Sequence, residues 1–354
     1  MIRRHSACPH LLVRLLLSVI RIPTKLTEIV MYPHIANTGF LGLALMSIAL
    51  CAEAQSERWP AKPVRLVVTF PPGGASDVVA RLLAPKLAGS GPQWLVDNRP
   101  GADGMIGAEA VARAPADGYV LLMANVGPQA IAPAMHRKTV RYDPLRDFTY
   151  IGHVGANAHV LLVNPSLPAR TLKEFIALAK KRPGEINFGA GGPINQLTGE
   201  LLKAKASIQM NYVPYKGASM VVQELRGGQI PAAIAPLPGN VAQLQAGVLR
   251  ALAVTSAQRA PLAPEVPTFA ELGLPDLIVE NWIGIAGPAK LNPEIVARIA
   301  NDIEKALSAP DLRQRMADVG ITPLFMNSTQ FERYVSKEIE RWRSIVNAAG
   351  VQAE

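Results

Sequence analysis

The chain has 354 residues, room for about two domains of ordinary size, and its 49% apolar against 18% charged residues can fill a core in each. Aromatic residues make up only 5%, and the net charge of +9 comes without a long Lys/Arg block, so a nucleic-acid surface built on base stacking or a basic tract is disfavoured. The mild positive excess suits the attraction of anions.

The first 54 residues read as a leader. Leu11–Ile20 is apolar apart from Arg14 and Ser18, and Gly39–Leu50 is a charge-free apolar run followed by Ala52-Glu53-Ala54. A small-x-small triplet after about 12 apolar residues is the pattern of a secretory signal, with cleavage expected after Ala54. The run is shorter than the about 20 residues of a membrane span. Two alternatives stand beside this one: a start at Met31 rather than Met1, and lipid attachment at Cys51, against which the bulk of Leu50 speaks. Cys8 and Cys51 both precede the cut, so the mature chain holds no cysteine for a disulfide, a nucleophile or a metal site. Losing the leader's five basic and two acidic residues lowers the charge to +6.

Beyond the leader, strands and helices alternate, as in a sheet covered on both faces. The pattern predicts a strand over 64–70, a helix over 77–87, a strand over 94–96, a helix over 107–113 and a strand over 119–124. A strand at 160–163 leads into a helix over 172–181, with Thr171 and Glu174 spaced as a capping box. Next come a strand at 186–188, a helix over 196–203, a strand at 210–213 and a helix over 220–226. Strands at 232–235, 249–254 and 279–286 follow. Two amphipathic helices close the chain, one over 293–307 (Ile295, Ile299, Ile303, Leu307) and one over 331–348 (Phe331, Val335, Ile339, Trp342, Val346).

Several strands end in Gly/Pro loops that open helices. Helix N-termini leave N–H groups unpaired and carry partial positive charge, and glycines let a ligand approach them. Three loops have this form: Phe70 to Asp77, with Ser76 or Asp77 as a helix cap; Gly189 to Gln196, where Asn195 and Gln196 could offer side-chain amides; and Pro214 to Gly217, where Lys216 could pair with an anion. On the residues alone each is also readable as an ordinary turn with a cap. No Lys follows the glycines as in a Walker loop, and the three-glycine dinucleotide spacing is absent. His136, His153 and His159 are scattered without metal-pair spacing, and no G-x-S-x-G elbow occurs. Asp117, Asp143 and Asp147 sit in turn-like contexts. No catalytic residue, metal or cofactor is expected.

These motifs resemble the Bug/TctC-type solute receptors of tripartite tricarboxylate transporters. The resemblance runs through Trp59-Pro60, FPPGGASD at 70–77, VDNRPGADGMIGAEAVARAPADGY at 96–119, YDPLRDF at 142–148 and VNPSLPARTLKEF at 163–175. It continues with PYKG at 214–217, LRALAVTSAQR at 249–259, VPTFAELG at 266–273 and NWIGIAGPA at 281–289. It implies an α/β, two-lobed periplasmic binding protein fold of type II (a Venus flytrap), each lobe a mostly parallel sheet flanked by helices. The expected bounds are 57–157 plus 280–354 for the first lobe and 158–279 for the second. By position, the resemblance assigns ligand binding to Phe70, Pro72, Gly73, Gly74, Ala75 and Asp77 on one side and to Gly191, Gly192, Asn195 and Gln196 on the other. Asn125, Gly127, Tyr215, Lys216 and Gly217 line the rest.

The second loop departs from the family pattern. Gln196 stands where a His usually precedes the Leu of the helix, and Pro193 stands where hydroxyl or glycine positions fall. The ligand's far end is therefore not transferable from relatives. The implied function is periplasmic capture of a small carboxylate, as a monomer, for the membrane permease subunits of a tripartite tricarboxylate-type uptake system, with no nucleic acid involved. Rival readings are a sensor subunit that engages a signalling partner and an exported α/β enzyme.

Overall fold

In the first strand, β1 (Val64–Val68), four of five side chains are buried, as a strand covered on both faces requires. The computed structural model describes residues 59–215 and 217–350. The leader, with the expected cut after Ala54 and the Cys51 alternative, and the candidate Lys216 lie outside the described residues. β1 pairs in parallel with β2 (Trp94–Asn98) and β3 (Val120–Asn125), and is followed by α1 (Ala75–Ala88); α2 (Met105–Ala112) precedes β3.

A 16-residue strand, β4 (Phe148–Val163), ties the fold together. Its first part pairs antiparallel with β9 (Glu280–Pro288), which also pairs antiparallel with β3. Its last five residues pair antiparallel with β7 (Ala232–Pro236), and β8 (Arg250–Val254) pairs with its end as well. Between them the chain forms α3 (Leu172–Lys181), β5 (Ile186–Ala190), α4 (Pro193–Ala206), β6 (Met210–Pro214) and α5 (Ala218–Arg226), with β5 parallel to β6 and β7. α6 (Pro293–Ser308), α7 (Pro310–Asp318), β10 (Thr322–Met326) and α8 (Ser328–Ala349) complete the fold.

The largest apolar cluster is continuous across both strand groups, joining Leu122, Trp282 and Phe331 to Leu161, Phe188 and Ile234. In α8, Phe331, Val335, Ile339, Trp342 and Val346 form the buried stripe that the spacing predicts. In α6, Ile299, Ile303 and Leu307 are buried as expected, while Ile295 is only half-buried. Thr171 and Glu174 form the expected capping box, with the Glu174 N–H donating to Thr171 Oγ1 at 3.2 Å and the Thr171 N–H donating back to the Glu174 carboxylate.

Three features depart from the sequence reading. β4 begins at Phe148, twelve residues before the expected 160; α7 and β10 are new elements. Neither Ser76 nor Asp77 caps α1. The N-cap is Gly74, without a side-chain hydrogen bond. Among the described residues no helix is long and apolar enough to cross a membrane.

Candidate ligand-binding cleft

Three helices, α1, α4 and α5, open directly after glycines: Gly74, Gly192 and Gly217 are their N-caps, and none supplies a side-chain cap. Consequently the main-chain N–H groups of Ala75, Ser76 and Asp77 at α1, and of Ile194 and Asn195 at α4, have no partner among the described residues. Unpaired N–H groups at a helix start carry partial positive charge and face whatever lies before them. Here that is one cavity of about 860 Å³, a size suited to a small ligand.

The cavity collects most of the residues picked out from the sequence. Phe70, Pro72, Gly73, Gly74 and Ala75 form one wall, and Asn125 and Gly127 come from the end of β3. Gly191, Gly192 and Asn195 lie on the wall built by β5 and α4. Ala218 and Ser219, the first residues of α5, close it beside them. A second hollow of about 810 Å³ adjoins along α5 and shares Ala218 and Ser219, but it contains none of the glycines of the first two loops. The first cavity is therefore the candidate.

Four candidates take other places. Asp77 does not line the cavity. Its carboxylate accepts from the Gly73 N–H at 2.9 Å, from Asn98 Nδ2 at 2.9 Å and from Arg81 Nε at 3.0 Å. Burial pushes this carboxyl up, but the hydrogen bonds from Arg81, Gly73 and Asn98 outweigh it and hold it below its ordinary range. Asp77 thus ties down the glycine turn, where Gly73 has φ +87°, a conformation that side chains resist. Gln196 also lies off the cavity, its N–H bonded to the Gly192 carbonyl at 3.1 Å. Tyr215 sits behind the end of β5, where its N–H donates to the Ala190 carbonyl at 3.1 Å. Gly217 backs the second loop: a Cβ on Gly191 would lie 2.3 Å from the Gly217 carbonyl carbon.

Asn125 is buried, and both its amide nitrogen and its amide oxygen are hydrogen-bonded. Its Nδ2 donates to Thr69 Oγ1 at 3.2 Å and its Oδ1 accepts from the Gly127 N–H at 3.1 Å, which fixes the turn after β3. The lining also holds polar residues that the sequence reading did not select: Asp103, Asn157, His159 and Asn281. Asp103 lies 3.1 Å from His136 Nε2. Asn157 and His159 belong to β4, at the place where it passes from pairing with β9 to pairing with β7, and Asn281, the partner of Asn157, belongs to β9. Among the described residues no group of three or more His, Cys, Asp or Glu could hold a metal ion.

A model of the tripartite tricarboxylate transporter family receptor matches residues 78–351. The chain is 34% identical over 315 residues to protein BugT of Bordetella pertussis, covering 88% of this chain and 97% of that protein. Among solved structures, the R. palustris protein Rpa4515 with adipate superposes with a TM-score of 0.72 at 33% identity, covering 82% of this chain and 98% of the other. The MatC protein of Rhodopseudomonas palustris with bound malate superposes at 0.69 and 28% identity, covering 81% and 100%. With a two-lobed α/β fold of the periplasmic-binding type and helix starts gathered on one cleft, this chain belongs to the Bug/TctC family of tripartite tricarboxylate transporter receptors.

Proposed function

We propose that the protein is exported, is cleaved after Ala54, and works as a monomer in the periplasm, where it captures a small carboxylate and delivers it to a membrane permease. The observation that carries this reading is the convergence of uncapped, glycine-preceded helix starts on one cavity, an arrangement that binds a carboxylate through main-chain N–H groups without needing a cationic side chain. The adipate and malate held by two family members support it. The proposed lobes are 57–157 with 280–354 and 158–279. They hinge about the paired segments of β4 and β9 near Asn157 and Asn281, and closure excludes water and strengthens the loop–carboxylate hydrogen bonds.

Gly74 offers a clean test. Its backbone is extended, with φ −73° and ψ 164°, and a Cβ there would meet only the Pro71 carbonyl oxygen, at 3.6 Å. Gly74→Val is therefore compatible with the fold while its branches crowd the N–H groups of α1. In a thermal-shift screen against small carboxylates, the parent is expected to gain stability with occupancy. The variant is expected to melt at a similar temperature without ligand and to lose the ligand response. An undiminished response would remove this loop from the site.

A further inference from the structure

The hollow of about 810 Å³ along α5 is continuous with the cleft, because Ala218, Ser219, Pro236 and Gly239 line both. Its mouth lies beside the second glycine loop: Gly191 packs so closely on the start of α5 that a Cβ there would lie 2.5 Å from the Ala218 nitrogen. From that point Ala218, Val222 and Arg226 follow one face of α5 at four-residue spacing. The hollow is therefore a groove that runs about 12 Å along the helix.

The groove is polar without being acidic. Asn240, on its lining, is only 2% exposed. Its Nδ2 donates to the Pro236 carbonyl at 2.7 Å, which fixes the way round of the amide, and its Oδ1 is buried without a partner among the described residues. Gln243, three residues on, also lines the groove and has a buried Oε1 with no such partner. A buried carbonyl oxygen without a donor is costly, and a donor brought to it recovers that cost. Val222 and Val248 add apolar contact, and Arg226, the only charged side chain on this lining among the described residues, disfavours a cationic occupant.

We infer that this groove is a subsite continuous with the cleft, and that it holds the tail of an elongated carboxylate, one that carries amide or hydroxyl donors and no positive charge. This rests on the proposed function, since the glycine loops must anchor the acid group at the groove's mouth. A reach of about 12 Å accommodates three or four peptide-like units of extended chain. All the residues that line the groove fall within 218–248, in one of the two proposed lobes. A tail lying there does not stand between the lobes as they close.

Calorimetric titration of the mature chain with N-acetylglycine, N-acetyltriglycine and N-acetylpentaglycine tests this, since the three share a carboxylate end and differ in the number of amides behind it. Affinity is expected to rise at least about tenfold from the first to the better of the longer two, the worth of two hydrogen bonds. Gln223 is exposed and lines the groove but not the cleft. Gln223→Trp should fill the groove, abolish the gain with length and leave N-acetylglycine binding as in the parent. Gln243→Leu should weaken the longer acids by about fivefold, while decanoate, a long tail without donors, keeps its affinity. Should a variant fail to fold, the length series in the parent still decides. Affinity that is flat or falls with length, a Gln223→Trp loss shared equally by short and long acids, or longer acids untouched by Gln243→Leu overturns the inference. Binding of succinate or adipate then leaves the proposed function standing, whereas failure of every one of these acids overturns both.

Discussion

At Gly191 the absence of a single methyl group holds two loops together. A Cβ there would lie 2.3 Å from the Gly217 carbonyl carbon and 2.5 Å from the Ala218 nitrogen. Both are main-chain atoms, so no side-chain rotation relieves the clash. Gly191→Ala should push the start of α5 away from the start of α4, with a loss of about 1–3 kcal/mol in urea unfolding and a larger loss in ligand affinity than Gly74→Val shows in stability. Parent-like unfolding and binding would mean that the loops do not touch as described. Such glycines were legible in the sequence because they stand in groups just before a helix. The work of Asp77 was not: an acid in a first turn reads as a cap, and only the folded turn shows its carboxylate reaching back to the Gly73 N–H. Asn157, His159 and Asn281 carry no local signature at all. A polar residue in a buried strand becomes a cavity residue only through the partner strand that pairs beside it.

At the scale of the element, what was visible is what local rules govern. The Thr171/Glu174 box starts α3 where its spacing predicts, and Thr171→Ala should lower stability by about 1 kcal/mol in chemical denaturation, with ligand affinity unchanged. No change in stability would show that the box is not populated. The same box recurs at Asn327 and Gln330 for α8. Elements that escaped the sequence reading lack such signals. The part of β4 that pairs with β9, Phe148–Ala158, is interrupted by Gly152, His153, Gly155 and Asn157, yet it is buried almost throughout because β9 lies along it and β10 pairs with part of it. α7 buries only Leu312 and Met316, one contact per turn, too sparse for a periodic stripe. β10 is a short strand that contains Pro323 and has no fully buried residue, so it exists by pairing with β4 rather than by its own pattern. Long-range pairing, and not propensity, makes these elements.

For the whole molecule, the long strand that joins the two strand groups also carries a pH liability. His153 and His159 are both 2% exposed. Burial pushes each pKa down to about 4 from the ordinary 6.5, opposed only in part by the Leu324 carbonyl, which faces His153 Nδ1 at 2.6 Å, and by the Asn195 side chain at His159. Between pH 6.5 and 4 the unfolded chain therefore binds more protons than the folded one, so stability must fall as pH falls through that window and be insensitive to these groups above it. Each histidine should remove about 2 kcal/mol by pH 5 and roughly 3 kcal/mol by pH 4. Glu280, whose carboxyl burial pushes upward, acts in the opposite sense, so the comparison is best made by difference. His153 packs edge-on against Phe331 and Tyr334, and His153→Phe keeps an aromatic ring there while removing the proton site. Urea unfolding at pH 7.5, 6 and 5 should then show the variant losing less stability than the parent, by about 2 kcal/mol at pH 5. If the two lose stability in parallel, the buried ring is not neutral at pH 7 for the reason given, and the acid sensitivity belongs to other groups.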